Sequence, residues 1–198
     1  DTGLNTGGMG AVSPVPFATD EFLSKIEERI VKPTINGFKL DNLPYVGFVF
    51  IGLIKVGDDP KVIEYNVRMG DPETEVVLPR LKNDFVEILQ AMAKGTLDTI
   101  NIEIDERAAT TIMLVSGGYP EAYEKGKVIS GISNIEDSIP FHAGANIKDG
   151  QVVTSGGRVM AITSYGNTYK EAIKKSYQNI EKLHFDKMYY RKDIGFDL

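Results

Sequence analysis

Residues 61–75, KVIEYNVRMGDPETE, crowd carboxylate, amide and guanidinium groups into one short stretch of the chain. Successive side chains of a β-strand point to opposite faces, so Glu64, Asn66 and Arg68 would share one face. Residues two apart in a strand lie about 6.6 Å apart at Cα, near enough for two side-chain oxygens to reach one cation. Mg²⁺ completes its shell with water and substrate phosphates, so two protein ligands suffice. The spacing is therefore compatible with a divalent-metal site, and the guanidinium suits a phosphate or carboxylate.

The same alternation has a second interpretation, a strand with one solvated face. Ile63, Tyr65 and Val67 would form the opposite, apolar face that holds the strand to its sheet. Most alternating strands carry a solvated polar face, so spacing alone favours a surface over a metal site. Immediately after this strand, Asp71-Pro72 predicts an N-cap and the first residue of a short helix.

Three further features have groups that could do chemistry. The loop Asn5–Gly10, NTGGMG, has backbone N–H groups that can approach an anion. It lacks the Lys and Ser/Thr ending of a Walker A loop, and no predicted strand precedes it, so a flexible turn is the commoner outcome. His142 lies between Phe141 and Ala143, which favours a packed, hydrogen-bonded histidine over a ligand or base. His184 is predicted to lie on the surface.

Composition narrows the classes of protein. The 198 residues include no Cys and two His, which excludes disulfides, thiolate zinc sites and a multi-histidine metal site. Any metal is then held mainly by oxygen, which favours Mg²⁺, Mn²⁺ or Ca²⁺. The net charge of −6 disfavours nucleic acid and acidic membranes as partners.

The chain has no pattern typical of membrane insertion or export. Its longest apolar run, near Tyr45 to Ile54, is shorter than the roughly 20 residues of a membrane span, and its first residues lack a secretory pattern. We therefore expect a cytoplasmic protein with no membrane partner. The chain opens on a glycine-rich loop without an initiator Met, which predicts that it was cut from a longer protein.

The spacing of apolar residues and the positions of Gly, Pro and capping residues predict an α+β chain. The first half should contain a helix from the cap Asp20 to a stop at Pro33. An antiparallel hairpin and a second helix that ends at Gly95 should follow. Between Gly95 and Ala108 the apolar residues no longer recur at helical spacing, and we place a domain boundary near residue 105. The elements expected of the first half are a strand at 45–56, a turn at 57–60, a strand at 61–68 and a helix from Asn83 or Asp84 to Lys94.

The pattern of the second half predicts mainly strands, followed by one helix near the end. Lys148-Asp149-Gly150 favours a tight hairpin turn, and Thr168-Tyr-Lys-Glu171 fits the capping box of the last helix. The strands expected here are 109–116, 141–147, 151–155 and 158–165.

Six motifs in order resemble one family. The chain resembles the carboxy-terminal part of the phosphoribosylamine–glycine ligases, ATP-grasp enzymes of purine synthesis, also called glycinamide ribonucleotide synthetases. The resemblance runs over essentially the whole chain, and the order of the motifs makes it specific. The motifs are NTGGMG (5–10), EYNVRMGDPET (64–74), SGGYP (116–120), FHAG (141–144), TSGGRV (154–159) and YRKDIG (190–195).

The resemblance implies a reaction and roles for particular residues. The family uses ATP to join glycine to 5-phosphoribosylamine through a glycyl phosphate. By motif match, Glu64 and Asn66 would be the ligands of Mg²⁺ or Mn²⁺, and the metal would bridge the ATP phosphates. Arg68 and Asp71 are expected at phosphates or substrate, as catalytic residues. The cofactor- and substrate-binding end of the cleft is assigned to three loop residues: Asn5, Gly7 and Gly8.

The resemblance also implies a domain division and a missing part. Residues 1–105 would be the carboxy-terminal portion of the ATP-grasp domain, and residues 106–198 a small, mostly β domain with a closing helix. The amino-terminal part of the same protein, with most of the nucleotide-clamping elements, would be missing, so we expect the 198 residues alone to be inactive. Two alternatives stay open: a non-catalytic binding or assembly module that retains the fold, and an ATP-grasp ligase for another carboxylate.

Overall fold

The computed structural model describes residues 3–198, which form two compact units. The sheet unit comprises the chain up to Pro14, Asp71–Leu81 and Ile104–Asp197; the hairpin unit comprises Val15–Gly70 and Lys82–Glu103, with Leu198 also assigned to it. The two units are therefore interleaved along the sequence. The predicted division into residues 1–105 and 106–198 concerns the domains of the family and stays a prediction; its first two residues lie outside the described part.

The sheet unit is built on four antiparallel strands in the order β1-β4-β8-β5. Two helices and a small two-stranded sheet, β6-β7, complete it. The elements of this unit are β1 Gly10–Ser13, α3 Thr74–Arg80, β4 Ala108–Val115, β5 Ser138–His142, β6 Ala145–Lys148, β7 Gln151–Thr154, β8 Arg158–Gly166 and α5 Tyr169–Ile180.

The paired strands β4 and β8 divide the core into two faces. Every residue of β4 is buried. Alternation sends Thr110 and Ser164 to the face of α5, where the Ser176 hydroxyl of that helix donates to the Thr110 carbonyl at 3.2 Å and contacts the Ser164 hydroxyl at 2.9 Å. The neighbouring Thr163 points to the opposite face, where its hydroxyl donates to the Glu75 carbonyl of α3 at 2.9 Å. The two helices therefore cover opposite faces of the sheet.

The apolar core follows this division. The α5 face holds the larger cluster, and the opposite face holds a smaller cluster that Met9 and Tyr119 also contact. The larger cluster contains Ile112, Leu114, Met160, Ile162, Ile180, Leu183 and Phe185 among others, and the smaller one Met113, Val115 and Ala161.

The hairpin unit combines helices with one antiparallel hairpin. Phe48 and Phe85 stack with ring centroids 6.1 Å apart and link the start of the hairpin to the last helix. Within residues 3–198, no helix is long and apolar enough to span a membrane. The elements of this unit are α1 Asp20–Ile26, a π-helical segment Glu27–Val31, α2 Lys32–Leu40, β2 Phe50–Val56, β3 Asp59–Asn66 and α4 Phe85–Lys94.

Most predicted elements are present, and the α+β class is confirmed. The hairpin turns where predicted, although β2 starts at Phe50 rather than at 45. Helix α4 has Asp84 as its N-cap and Gly95 in the left-handed conformation at its end. The Thr168 hydroxyl accepts from the Glu171 N–H at 3.2 Å, as the capping box requires.

The predicted helix stop at Pro33 is wrong. The helix that begins at Asp20 continues to Leu40 through the π-helical segment, in which the Lys32 N–H bonds to the Glu27 carbonyl five residues earlier. The wider turn lets Pro33 enter in the first turn of α2, where a missing N–H costs no α-helical hydrogen bond.

Two expectations for the second half also fail. The predicted strand 141–147 breaks at Gly144, because the chain there passes so close to β8 that a Cβ would lie 2.5 Å from the Arg158 carbonyl oxygen. His142 is exposed rather than packed, since it ends the edge strand β5. His184 is exposed, as predicted.

A glycine substitution tests the packing of the sheet unit. Gly131 has φ +85°, and a Cβ there would lie 1.9 Å from the Lys182 carbonyl oxygen. In the intact protein, Gly131→Ala should lower the free energy of unfolding by at least about 1–2 kcal/mol, measured by urea denaturation. Gly37→Ala is the control, because its Cβ meets nothing within 4 Å in helix α2. That change should stabilise by up to about 1 kcal/mol. Equal midpoints for both variants would contradict the close approach at Gly131.

Candidate functional site

The strand β3 brings the two predicted metal ligands together. The Asn66 side-chain amide donates to Glu64 Oε1 at 2.9 Å, so the two side chains lie on one face as the alternation predicts. Across the hairpin, Gly52 pairs with Glu64, and a Cβ on Gly52 would lie 3.0 Å from Glu64 Cγ. A glycine at this position leaves room for the carboxylate.

The donor set of this pair fits a cation that also binds phosphate. Glu64 supplies carboxylate oxygens, and Asn66 supplies an amide oxygen once its side chain turns toward a cation. Within residues 3–198 no cluster of three or more His, Asp or Glu side chains could hold a metal. A site completed by water and phosphate needs no such cluster, because Mg²⁺ commonly takes one or two protein carboxylates beside substrate oxygens.

The opposite face of β3 differs from the prediction. Ile63, Tyr65 and Val67 were expected to hold the strand to the sheet, but their exposed fractions are 64%, 50% and 70%, and Val67 lies beyond the end of β3. This face of the hairpin is therefore largely exposed to solvent among the described residues. The Tyr65 hydroxyl hydrogen-bonds to the Thr34 hydroxyl at 3.0 Å and gives this face one polar attachment to α2.

The two predicted catalytic residues belong to different units. Arg68 follows β3 in the hairpin unit, is exposed, and donates from Nη1 to the Met69 carbonyl at 2.9 Å. Asp71 belongs to the sheet unit. The prediction that it caps the next helix is wrong: α3 begins at Thr74 with no side-chain cap.

Asp71 is instead held by Arg158, the first residue of β8. The Arg158 guanidinium donates from Nη2 to Asp71 Oδ2 at 2.7 Å and from Nη1 to the Asp71 carbonyl at 2.9 Å. The Arg158 side chain is 22% exposed and that of Asp71 49%. A partly buried, charge-assisted pair of this kind fixes the carboxylate more firmly than a helix cap would.

The same guanidinium holds the glycine-rich loop. Arg158 Nη1 donates to the Gly8 carbonyl at 3.2 Å, and a Cβ on Gly8 would lie 2.3 Å from Pro72 Cδ. The Gly7 N–H donates to the Tyr119 hydroxyl at 3.0 Å. The Gly7 N–H is therefore already hydrogen-bonded within the protein and is not available to an anion. These contacts hold the loop in place. Asn5 lies beside it, in the wall of a cleft.

Arg158 and Tyr119 were given no role by the sequence reasoning. Both lie in motifs that carried the family resemblance, TSGGRV and SGGYP. Their partners are 87 residues away for Arg158–Asp71 and 112 residues away for Tyr119–Gly7. No local pattern indicates a contact at such a separation; an arginine that starts an otherwise apolar strand, RVMAIT, was the one available signal.

Glu75 of helix α3 has a carboxyl group whose surroundings disfavour its charged form. Burial raises the pKa of its carboxyl above 4.5, Asp71 raises it further, and Arg158 opposes the shift. Its Oε2 atom is buried without a hydrogen-bond partner among residues 3–198. The carboxylate form therefore weakens the packing of α3 against the sheet.

A double-mutant cycle tests the Arg158–Asp71 pair. Arg158→Met, Asp71→Ala and the double variant of the intact protein should give a coupling of about 1 kcal/mol in the free energy of unfolding, because the pair is charge-assisted and partly buried. Lys182–Glu136, a pair 3.2 Å apart with side chains 35% and 84% exposed, is the matched control and should show a coupling near zero. Coupling no larger than in the control would mean that Arg158 does not hold Asp71 in solution.

The raised pKa of Glu75 gives stability a pH dependence of known sign. Since the folded protein holds this proton more tightly than the unfolded chain, the contribution is fully present below the ordinary pKa of 4.5 and is lost as the pH rises through the folded-state value. Glu75→Gln stays neutral. It should be more stable than the parent at about pH 7 and no more stable near pH 4 in urea denaturation. The exposed Glu87→Gln should change stability little at either pH. A Glu75→Gln variant less stable than its parent at pH 7 would refute this account.

Two family models match the chain. The phosphoribosylglycinamide synthetase ATP-grasp (A) domain matches residues 1–74, and the phosphoribosylglycinamide synthetase C domain matches residues 109–197. The predicted boundary near residue 105 falls in the unmatched interval between them.

Curated relatives match almost the whole chain. The phosphoribosylamine–glycine ligase of Caldanaerobacter subterraneus is 44% identical over 98% of this chain and 47% of its own length. A bifunctional purine biosynthetic protein of Pichia angusta is 47% identical over 98% of this chain and 25% of its own length. The chain thus spans about half the length of the single-function relatives and a quarter of the bifunctional one.

Solved structures agree with these matches. The phosphoribosylamine–glycine ligase of Thermotoga maritima superposes with a TM-score of 0.85 at 39% identity and covers 98% of this chain and 48% of that one. The urea carboxylase of Kluyveromyces lactis reaches 0.61 at 18% identity over 92% of this chain and 16% of that one, which shows a shared fold only. The predicted fold, part of an ATP-grasp domain followed by a small sheet domain, is confirmed. The chain belongs to the phosphoribosylglycinamide synthetase, or phosphoribosylamine–glycine ligase, family, of which it contains part of the ATP-grasp domain and the C domain.

Proposed function

We propose that the protein that contains this chain joins glycine to 5-phosphoribosylamine at the expense of ATP. The glycine carboxylate takes the γ-phosphoryl group of ATP to give glycyl phosphate and ADP. The amine then attacks the acyl carbon, phosphate leaves, and glycinamide ribonucleotide forms. The observation that carries the proposal is the Glu64–Asn66 pair on one face of β3, in a chain 44% identical over 98% of its length to a phosphoribosylamine–glycine ligase.

In this proposal the hairpin holds the metal. Glu64 and Asn66 bind Mg²⁺ or Mn²⁺, which when bound would screen the phosphate charges during phosphoryl transfer. Arg68 has donors beyond the one that bonds to the Met69 carbonyl, and these can bind a phosphate oxygen. Gly52 across the hairpin has no side chain to crowd Glu64, so the carboxylate can move toward the ion.

In this proposal the sheet unit binds substrate. A lone carboxylate would repel phosphate, but Arg158 neutralises Asp71 through Oδ2 and leaves Oδ1 able to accept from a substrate amine or hydroxyl. Arg158 also holds Gly8, and Tyr119 holds Gly7, so the loop that begins at Asn5 keeps a fixed path beside the substrate. Asn5 would contact the substrate directly.

The remaining parts of the proposal concern the whole protein. The adenine pocket and the rest of the amine site would come from the half of the relatives that this chain does not match. We therefore expect the 198 residues alone to show no ligase activity, and the cytoplasmic location stays a prediction. The first alternative, a non-catalytic module, would have no use for a pair of metal ligands followed by an arginine. The second alternative, a ligase for another carboxylate, is tested by assaying other amino acids in place of glycine.

The metal assignment is tested on the intact protein. Glu64→Gln keeps the size of the side chain and removes its charge. The affinity for Mn²⁺, measured by electron paramagnetic resonance, should therefore fall at least about tenfold, and glycine-dependent ADP formation should fall by about a hundredfold or more. Asp58→Asn, at the exposed turn of the same hairpin, is the control and should leave both unchanged.

Each outcome of this test has a distinct meaning. Full turnover in Glu64→Gln would refute the ligand assignment. ADP formation that depends on another amino acid and not on glycine would refute the substrate. Nucleotide turnover that is absent from the unaltered intact protein would favour the non-catalytic module.

A further inference from the structure

The chain passes between the sheet unit and the hairpin unit at four peptide links before its last residue, and we call these links crossings. The predicted metal ligands belong to the hairpin unit, whereas Asp71 and the glycine-rich loop belong to the sheet unit. A reaction that uses both sets of groups depends on how firmly the crossings are held. In chain order, the crossings are Pro14–Val15, Gly70–Asp71, Leu81–Lys82 and Glu103–Ile104.

Arg80, the last residue of α3, holds the sheet-unit side of three crossings. Its Nη1 donates to the Ser13 hydroxyl at 2.8 Å, next to the first crossing. Its Nη2 donates to the Asp105 carbonyl at 3.0 Å and its Nε to the Arg107 carbonyl at 3.0 Å, just after the fourth crossing. Arg80 itself lies just before the third. One guanidinium therefore joins three segments that are far apart in the sequence.

Backbone hydrogen bonds join the third and fourth crossings to each other. The Asp105 N–H donates to the Arg80 carbonyl at 2.6 Å, and the Lys82 N–H donates to the Glu103 carbonyl at 2.9 Å. An antiparallel β-bridge lies between these two bonds. The two crossings therefore form one short ribbon, and the Arg80 guanidinium lies at the sheet-unit end of that ribbon.

The Arg80 side chain is built into the sheet unit. It is partly buried, and this burial lowers the pKa of the guanidinium from its ordinary value, while Asp105 opposes the shift. A guanidinium partly removed from water keeps its acceptors, because a donor without a partner there is costly. The Tyr165 hydroxyl of β8 donates to the Pro79 carbonyl and attaches the end of α3 to the sheet independently of Arg80.

The second crossing is held by a different arginine. Arg158 bonds to both the carboxylate and the carbonyl of Asp71, the residue that follows this crossing. The hydrogen-bond partners described for Arg158 and for Arg80 do not overlap. Replacement of one arginine should therefore loosen a different set of crossings from replacement of the other.

We propose that Arg80 is a positioning residue of the ligase reaction: it fixes the first, third and fourth crossings and so limits the movement of the metal-binding hairpin unit during phosphoryl transfer. The inference rests on the proposed function for the reaction that the positioning serves. Without the guanidinium, Glu64 and Asn66 would stay together as a ligand pair, but the unit that carries them would depart more easily from the geometry that the transfer requires.

Amide hydrogen exchange of the intact protein tests the Arg80 contacts without any reaction. In Arg80→Met, the amides of Lys82 and Asp105 should exchange about tenfold or more faster, measured by mass spectrometry of the peptides that contain them. Peptides that contain the second crossing should exchange as in the parent, because Arg158 holds that crossing. Arg158→Met should give the opposite pattern.

Kinetics separates positioning from a general loss of stability. Arg80→Met should lower kcat for glycine-dependent ADP formation by about ten- to a hundredfold, because a small displacement of reacting groups is costly. Its affinity for Mn²⁺ should equal that of the parent, since Glu64 and Asn66 lie two residues apart on β3. Ser13→Ala removes a single acceptor and should lower kcat by about two- to tenfold with the same Mn²⁺ affinity. This variant decides the question if Arg80→Met does not fold.

Arg29→Met is the matched control. Arg29 donates to the Asp59 carboxylate at 2.6 Å, with side chains 55% and 48% exposed, and both residues lie inside the hairpin unit. The variant thus loses an arginine and a charged hydrogen bond away from the crossings. It should leave kcat, the affinity for Mn²⁺ and the exchange of the Lys82 and Asp105 amides unchanged.

Four results would overturn the inference. They are parental exchange of the two amides in Arg80→Met, parental kcat in both Arg80→Met and Ser13→Ala, a Mn²⁺ affinity that falls in parallel with kcat, and an equal loss of turnover in Arg29→Met. The proposed function fails separately, if the unaltered intact protein has no ligase activity. Faster exchange in Arg80→Met would then still support Arg80 as the residue that holds the crossings.

Discussion

The antiparallel pairing of β4 with β8 is the constraint on which the sheet unit depends. These two strands lie at the centre of the four-stranded sheet, and β1 and β5 have no other partner in it. Both strands are almost fully buried, and their side chains alternate between the two faces. The register of the pairing therefore decides which side chains contact the helix on each face. A slip of one residue would turn Thr163 away from α3 and toward α5, where Ser164 now contacts Ser176. Polar pairs on both faces therefore specify one register, and the apolar residues between them then supply most of the stabilisation.

That register also fixes the position of the charge that organises the candidate site. Arg158 is the first residue of β8, so its backbone belongs to the rigid sheet while its side chain reaches Asp71 and Gly8. The Arg158 guanidinium is mostly buried, and two carbonyls and one carboxylate accept hydrogen bonds from it. A loop and a turn that would otherwise be independent thereby take their positions from a strand. Functional groups placed in this way keep their geometry better than groups carried by loops alone.

The sequence predicted elements whose signals are local. Helix α4 has its cap and its glycine stop within a few residues of its apolar stripe, and the Thr168 capping box is a four-residue signal. Strand β1 has no such signal: Gly-Ala-Val-Ser becomes a strand because it pairs with Ala109–Ile112, about a hundred residues later. The same reason applies to the site. Glu64 and Asn66 are two residues apart and their pairing was predictable, whereas Arg158 and Asp71 are 87 residues apart and no pattern connected them.

Two arginine–aspartate forks show where local geometry stops being informative about function. Arg107 with Asp105 and Arg191 with Asp193 have the same two-residue separation and the same bidentate contacts. The guanidinium carbon of Arg107 lies 4.3 Å from the centroid of the Tyr165 ring, so an aromatic face already covers one side of its plane and the fork serves packing. Both arginines line a depression, but the residues around Arg191 are those of the chain's early loop and of the end of β4, not an aromatic ring stacked on a guanidinium in the same way. The role of a fork is therefore decided by its tertiary surroundings, which spacing in the sequence does not contain.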